Sequence, residues 1–184
     1  MKKKILLMML LSSILIVGCG KSSSDGSGYV VKKSSDIVDI ISFESVTTNG
    51  ENISSDIFAN SKITMINVWA TYCNPCLNEM PDLGEIASAY NSEDFQVIGI
   101  VSDVATNSSS KDIEYVNELI EETKANYTHL LLSESLHSNF VNDVEAVPTT
   151  FFVNQDGEVL QSVVGAKNKS AWEKIINEIL SEIE

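Results

Sequence analysis

Apolar positions along the chain follow two periods, one suited to strands and one to helices. Ile63–Ala70 (ITMINVWA), Phe95–Asp103 (FQVIGIVSD) and Tyr127–Ser133 (YTHLLLS) are apolar runs of strand length and read as buried strands. Between the first two, Leu77, Met80, Leu83, Ile86 and Ala87 fall at helical spacing, and Pro81 predicts a kink there. Ile113, Val116, Leu119 and Ile120 line one face of a second helix over Lys111–Lys124. Ile37–Val46 (IVDIISFESV) alternates loosely, as a strand or hairpin arm does, and a short helix is expected around Ser135–Val141. Near the end, TTFFVNQDGEVLQSVVG places two strands around Gln155-Asp156-Gly157, a hairpin signature, and an amphipathic helix over Lys169–Ile183 closes the chain. This order predicts an α/β fold: a mostly parallel central sheet with an antiparallel hairpin edge and helices on both faces.

The first residues follow a different pattern. Three lysines precede an uncharged apolar run from Ile5 to Val17, which stops at Gly18-Cys19. A basic start followed by an apolar stretch of this length is an export signal, and the run is shorter than the ~20 residues of a spanning helix. Residues 20–35 are rich in Ser, Gly and Lys without an apolar period and read as a flexible tether. The chain therefore divides into a signal over 1–18, a tether over 19–35 and one domain over 36–184, long enough for a real core.

Charge excludes one class of partner. The whole chain carries a net charge of −14 and has no arginine. Without residues 1–18 it loses three lysines and no acids, leaving nine basic against 26 acidic side chains and a net charge of −17. Nucleic-acid binding needs a basic face, which this composition lacks. An acidic surface also repels anionic lipid, so a tether, not the surface, would hold the protein at a membrane.

The candidate chemistry lies in NVWATYCNPCLNEMP, Asn67–Pro81, where Cys73 and Cys76 sit at a strand-to-helix junction. There the unpaired N–H groups and the dipole of the helix start favour a thiolate on the first cysteine. The second, one turn in, can displace a client from a mixed disulfide. Pro75 suits a first helical turn because its missing N–H leaves nothing unpaired. Placement and spacing point to thiol–disulfide exchange. A zinc site would have to recruit His129, His137 or carboxylates without finger spacing. A purely structural disulfide would close a loop too short to restrict the unfolded chain much.

Two segments resemble a known family. VWATYCNPCLNEMP is similar to the active-site segment of TlpA/ResA-like thioredoxin-fold proteins, with Trp69, Cys73-Asn74-Pro75-Cys76, Glu79 and Pro81 at the matching places. AVPTTFFVNQDG resembles the loop of a cis-proline, here Pro148. Ile16-Val17-Gly18-Cys19 resembles a bacterial lipobox, with Ile16 where leucine is commoner, which implies a lipid on Cys19. The resemblance implies a thioredoxin fold, a central mixed sheet flanked by helices, with Lys111–Leu132 as the helix–strand insertion of that family. It also implies roles: Cys73 as the attacking thiolate, Cys76 as the resolving thiol, Pro148 packed in cis against the disulfide, and Glu79 as a nearby carboxylate able to carry protons. Tyr72, Asn74, Pro75 and Val147 would contact the client; many relatives have Trp where Tyr72 stands, which implies altered partner preference. Trp69 and Phe151 read as core. The implied protein is an extracytoplasmic, lipid-anchored monomer at the outer face of the bacterial cytoplasmic membrane, without a metal or cofactor beyond its own disulfide. It would reduce envelope client proteins and be refreshed by a membrane electron donor of the CcdA/DsbD type. Two other classes stay open: a peroxidase, although P-x-x-x-T-x-x-C is missing and a chain without arginine cannot polarise peroxide with one, and a binding module with a structural disulfide.

Overall fold

All seven residues of Ile63–Trp69 are buried, as a strand covered on both faces requires. In the computed structural model, which describes residues 40–183, this strand is the centre of a five-stranded sheet. The chain runs β1 (Glu44–Val46), β2 (Asn52–Ser54), a 3₁₀ turn (Ser55–Asn60), β3 (Ile63–Trp69), α1 (Asn74–Ala89), β4 (Phe95–Ala105), α2 (Ser110–Thr123), β5 (Thr128–Leu132), α3 (Glu134–Leu136), β6 (Thr149–Asn154), β7 (Val159–Val164) and α4 (Lys169–Ile183). The sheet order is β5-β4-β3-β6-β7. β3, β4 and β5 are parallel, and β6 and β7 are antiparallel additions on the other side of β3. The predicted α/β class, the hairpin edge and the closing helix all stand. The signal, the tether and Cys19 lie outside the described residues.

One face of the sheet carries α1, α2 and α4. Leu83 and Ile86 of α1 pack with Trp172, Ile175, Ile176 and Ile179 of α4 over Ile63, Met65 and Phe152. Val116 and Leu119 of α2 pack with Met80 of α1 over Trp69 and Val101. The opposite face is covered by Ile41, Phe43, Phe58, Leu136 and Phe140 against Ile66, Val68, Ile98 and Ile100. Each such aliphatic or aromatic side chain, fully buried, contributes about 1.5–3 kcal/mol.

Three local features add to the sequence pattern. Of the arm expected over 37–46, the described residues 40–46 hold one short strand, β1, paired with β2 in a separate hairpin. Before and after β1 the same segment touches both ends of the sheet: Ile40 bridges Glu158, and Thr47 bridges Leu130. α1 continues through Pro81 to Ala89 as one helix. The short helix after β5 widens into a π-helical turn over His137–Val141, closed by the Asn142 N–H on the His137 carbonyl at 2.8 Å.

Glycines allow two close approaches. A Cβ on Gly84 of α1 would collide with the Lys124 carbonyl at the end of α2, where Lys124 itself adopts φ 54°. A Cβ on Gly99 of β4 would collide with the His129 ring and stand 3.1 Å from Trp69 Nε1. Gly99 lies opposite Asn67 of β3 and His129 of β5, so it makes room for a row of polar side chains inside the sheet.

Candidate active site

The loop leaving β3 turns at Ala70, whose carbonyl accepts from Cys73 N–H at 3.0 Å, and α1 begins at once. Cys73 is the N-cap: its Sγ accepts from Cys76 N–H at 3.2 Å. Asn74 and Pro75 form the exposed first turn. The two sulfurs are joined in a disulfide, Cys73–Cys76. Only one of them reaches the surface, Cys73 at 4% exposure against 0% for Cys76. Tyr72 beside it is 74% exposed.

Across the site, Val147-Pro148 is a cis peptide, as the resemblance implies. Pro148 is buried, Val147 is half-buried, and the Val147 carbonyl lies 3.5 Å from Cys73 Sγ. The loop is fixed by Thr149 Oγ1 donating to the Ala146 carbonyl at 2.7 Å and by Gly165 N–H donating to the Pro148 carbonyl at 2.8 Å. Cys73, Cys76, Tyr72, Val147 and Pro148 thus come together at one end of the sheet.

Glu79, one turn after Cys76, is 3% exposed and not on an outer helix face. Its Oε1 accepts from Asn67 Nδ2 at 2.9 Å. Its Oε2 accepts from Lys167 N–H at 3.0 Å and Trp172 Nε1 at 3.3 Å. Burial raises the carboxyl from 4.5 to about 7, against the pull of these three donors and the Lys167 charge. A carboxyl poised there can take or give a proton at neutral pH. The same α1 face receives the start of α4, through Lys169 N–H on Asp82 Oδ2 at 2.8 Å and Lys169 Nζ on Glu85 Oε2 at 2.7 Å.

Further back, Trp69 Nε1 donates to His129 Nδ1 at 3.2 Å, and His129 Nε2 meets the Ala125 carbonyl at 3.1 Å. The carbonyl can only accept, so the proton sits on Nε2 and the ring is neutral. Burial pushes its pKa down to about 4. Tyr127 stacks on this ring at 4.3 Å, and burial, with the Glu79 charge behind it, raises its phenol. Among the described residues, no group of three or more His, Cys, Asp or Glu side chains could hold a metal ion.

The partners of Glu79 were not named from the sequence. Asn67, Thr150, Lys167 and Trp172 lie 12 to 93 residues from the groups they bond. One signal was available: Asn67 is the lone amide in the all-buried run ITMINVW, and a buried amide requires a partner.

The family model named Redoxin matches residues 32–180. The chain belongs to the Redoxin family. Among curated relatives, the thiol-disulfide oxidoreductase ResA of Bacillus cereus is 25% identical over 123 residues, 64% of either chain. ResA of Bacillus subtilis is 28% identical over 131 residues, 71% of this chain and 68% of that one. The match to the first of these thus spans slightly less than two thirds of its length. A thiol:disulfide interchange protein of the thioredoxin family from Chlorobium tepidum superposes with a TM-score of 0.64 at 22% identity, covering 80% of this chain and 99% of its own. This Redoxin chain therefore has a thioredoxin fold, and α2 and β5 cover the segment expected as the insertion.

Proposed function

We propose that this chain is a thiol–disulfide oxidoreductase that reduces disulfides in client proteins of the cell envelope. The observation that carries the reading is the asymmetry of the pair: Cys73 caps a helix at the surface, while Cys76 is shut behind it with a buried carboxyl one turn further on. Similarity to ResA proteins over most of the domain supports it.

In the reduced protein, Cys73 thiolate attacks one sulfur of a client disulfide, and the other client sulfur leaves as a thiolate and takes a proton. Cys76 then gives up its proton, for which Glu79 is the acceptor, and attacks Cys73 Sγ. The mixed disulfide breaks, the second client sulfur leaves as a thiol, and the Cys73–Cys76 bond returns. Two electrons have passed to the client, and a membrane donor of the CcdA/DsbD type restores the dithiol. The exposed Tyr72, the Asn74-Pro75 turn and the Val147 carbonyl are the surfaces a client strand meets. A carboxylate near the thiols disfavours their ionised form, and a less stabilised thiolate makes the disulfide a weaker oxidant. A redox titration against dithiothreitol should place the pair close to the thioredoxin value of about −270 mV; a result near the DsbA value of about −120 mV would reverse the direction.

The domain works outside the cytoplasm, held by acyl chains on Cys19 at the outer face of the membrane, and the lipobox-like Ile16–Cys19 supports this. Each buried CH₂ of such a chain contributes ~0.8 kcal/mol. Cys19→Ala should move the protein from the membrane fraction to the soluble one and leave exchange in vitro intact. Sedimentation with membranes despite the substitution would assign the tether elsewhere.

A further inference from the structure

β4 runs 11 residues and outlasts its neighbour, since the β3–β4 pairing ends at Trp69 opposite Val101. The overhang carries Ser102 and Asp103, and both hold the loop that leads to Cys73. Ser102 Oγ donates to the Trp69 carbonyl at 2.9 Å. The Asp103 carboxylate accepts from Thr71 N–H at 3.1 Å (Oδ1) and 3.2 Å (Oδ2), and from Thr71 Oγ1 at 2.5 Å. Thr71 is followed directly by exposed Tyr72 and then by Cys73.

We infer that Asp103 is a positioning residue for client recognition: by clasping both donors of Thr71, it holds the Tyr72 ring in the orientation that an incoming protein disulfide meets. The inference rests on the exchange function proposed above. Its physical basis is preorganisation. A large ring standing free in solvent binds well only if its backbone is already fixed, because ordering it on contact subtracts from affinity. The Cys73 N–H already has the Ala70 carbonyl, and Cys73 is further fixed by α1. Among the described residues Tyr72 has no such anchor of its own and is held through its two neighbours, Cys73 on one side and the Asp103–Thr71 clasp on the other. The sulfur chemistry does not pass through Asp103, so its loss should appear in recognition more than in turnover.

The experiment is insulin reduction by the full chain with dithiothreitol as terminal reductant, compared with a single turnover of the pre-reduced protein, freed of dithiothreitol, on Ellman's reagent as a small disulfide. A wild-type protein that reduces neither probe would defeat the exchange reading itself, apart from anything Asp103 does. With wild type active, Asp103→Ala should raise KM for insulin about five- to tenfold while kcat changes less than about twofold. Thr71→Val removes the hydroxyl and should raise KM in the same direction. Combined, the two should do no more than the stronger one alone, as groups in one contact do. Thermal unfolding of the oxidised variants confirms that each is folded. Equal loss in kcat and KM, an unchanged KM, or fully additive effects of the two substitutions would each overturn the assignment.

Discussion

Cys76→Ala should turn the protein into a trap that keeps its clients in mixed disulfides, whereas Cys73→Ala should capture almost nothing. The two sulfurs are bonded to each other, yet their surroundings differ. Cys73 sits at the helix cap beside Tyr72 and Val147, and Cys76 is completely enclosed. Without Cys76, Cys73 can still attack, but no second thiolate frees the client. Without Cys73, the remaining thiol lies inside the helix and out of a client's reach. Turnover of insulin should fall by a factor of about 10³ or more in either variant, because the two sulfurs act as one unit. Blocking free thiols in cells and comparing non-reducing gels separates the variants: bands that collapse with dithiothreitol should appear with Cys76→Ala alone. Equal capture by both would refute the ordered roles. Capture by neither, with a disulfide that resists mild reductant, would favour a structural bridge.

The second large effect is on stability against pH. The folded state holds Glu79 at about 7 instead of 4.5. A carboxyl raised in this way contributes stability that is complete below pH 4.5 and is lost as the pH rises through 7, about 3 kcal/mol in all. His129 has the opposite sense. Its pKa falls from 6.5 to about 4, so its contribution is complete above pH 6.5 and is lost as the pH drops through 4, again about 3 kcal/mol. Over this window the two groups offset each other. Glu79→Gln removes one side of that balance. The new amide can place its oxygen beneath Lys167 N–H and Trp172 Nε1, and its NH₂ can face Asn67, whose Oδ1 has no partner among the described residues. Acidification from pH 7 to 4 should then cost the variant about 3 kcal/mol more than wild type, read as a fall in the urea midpoint of about 1–3 M. Surface carboxylates are common to both proteins and drop out of the difference. Parallel profiles would mean that Glu79 titrates alike folded and unfolded.

The elements were legible because burial imposes a period. α4 coincides with its predicted range, and β3, β4, α2 and β5 lie within a few residues of theirs. β2 was missed because Asn52-Ile53-Ser54 is short, polar and half-exposed, and carries no period. Cys73, Cys76 and Pro148 were legible because their chemistry is local or tied to a short motif. Glu79 was visible as a residue but not as a buried one: helical spacing places it one turn from Cys76 without telling which side chains from β3, the loop after β7 and α4 converge on it. Asp103 carried no signal at all. An acid at the end of a strand is ordinary, and only the overhang of β4 beyond β3 brings it to Thr71.

The close approach at Gly84 decides how separable the insertion is. α1 touches the end of α2 backbone to backbone at Lys124, and Val116, Leu119, Ala125 and Leu131 wall in Trp69 and Cys76. Residues 110–132 are therefore packed into the site and not separable from it without loss. Excising them would strip the outer parallel strand from β4 and open the enclosed sulfur to water, erasing the difference between the two cysteines. A minimised version of this domain would have to rebuild that wall to keep Cys76 enclosed.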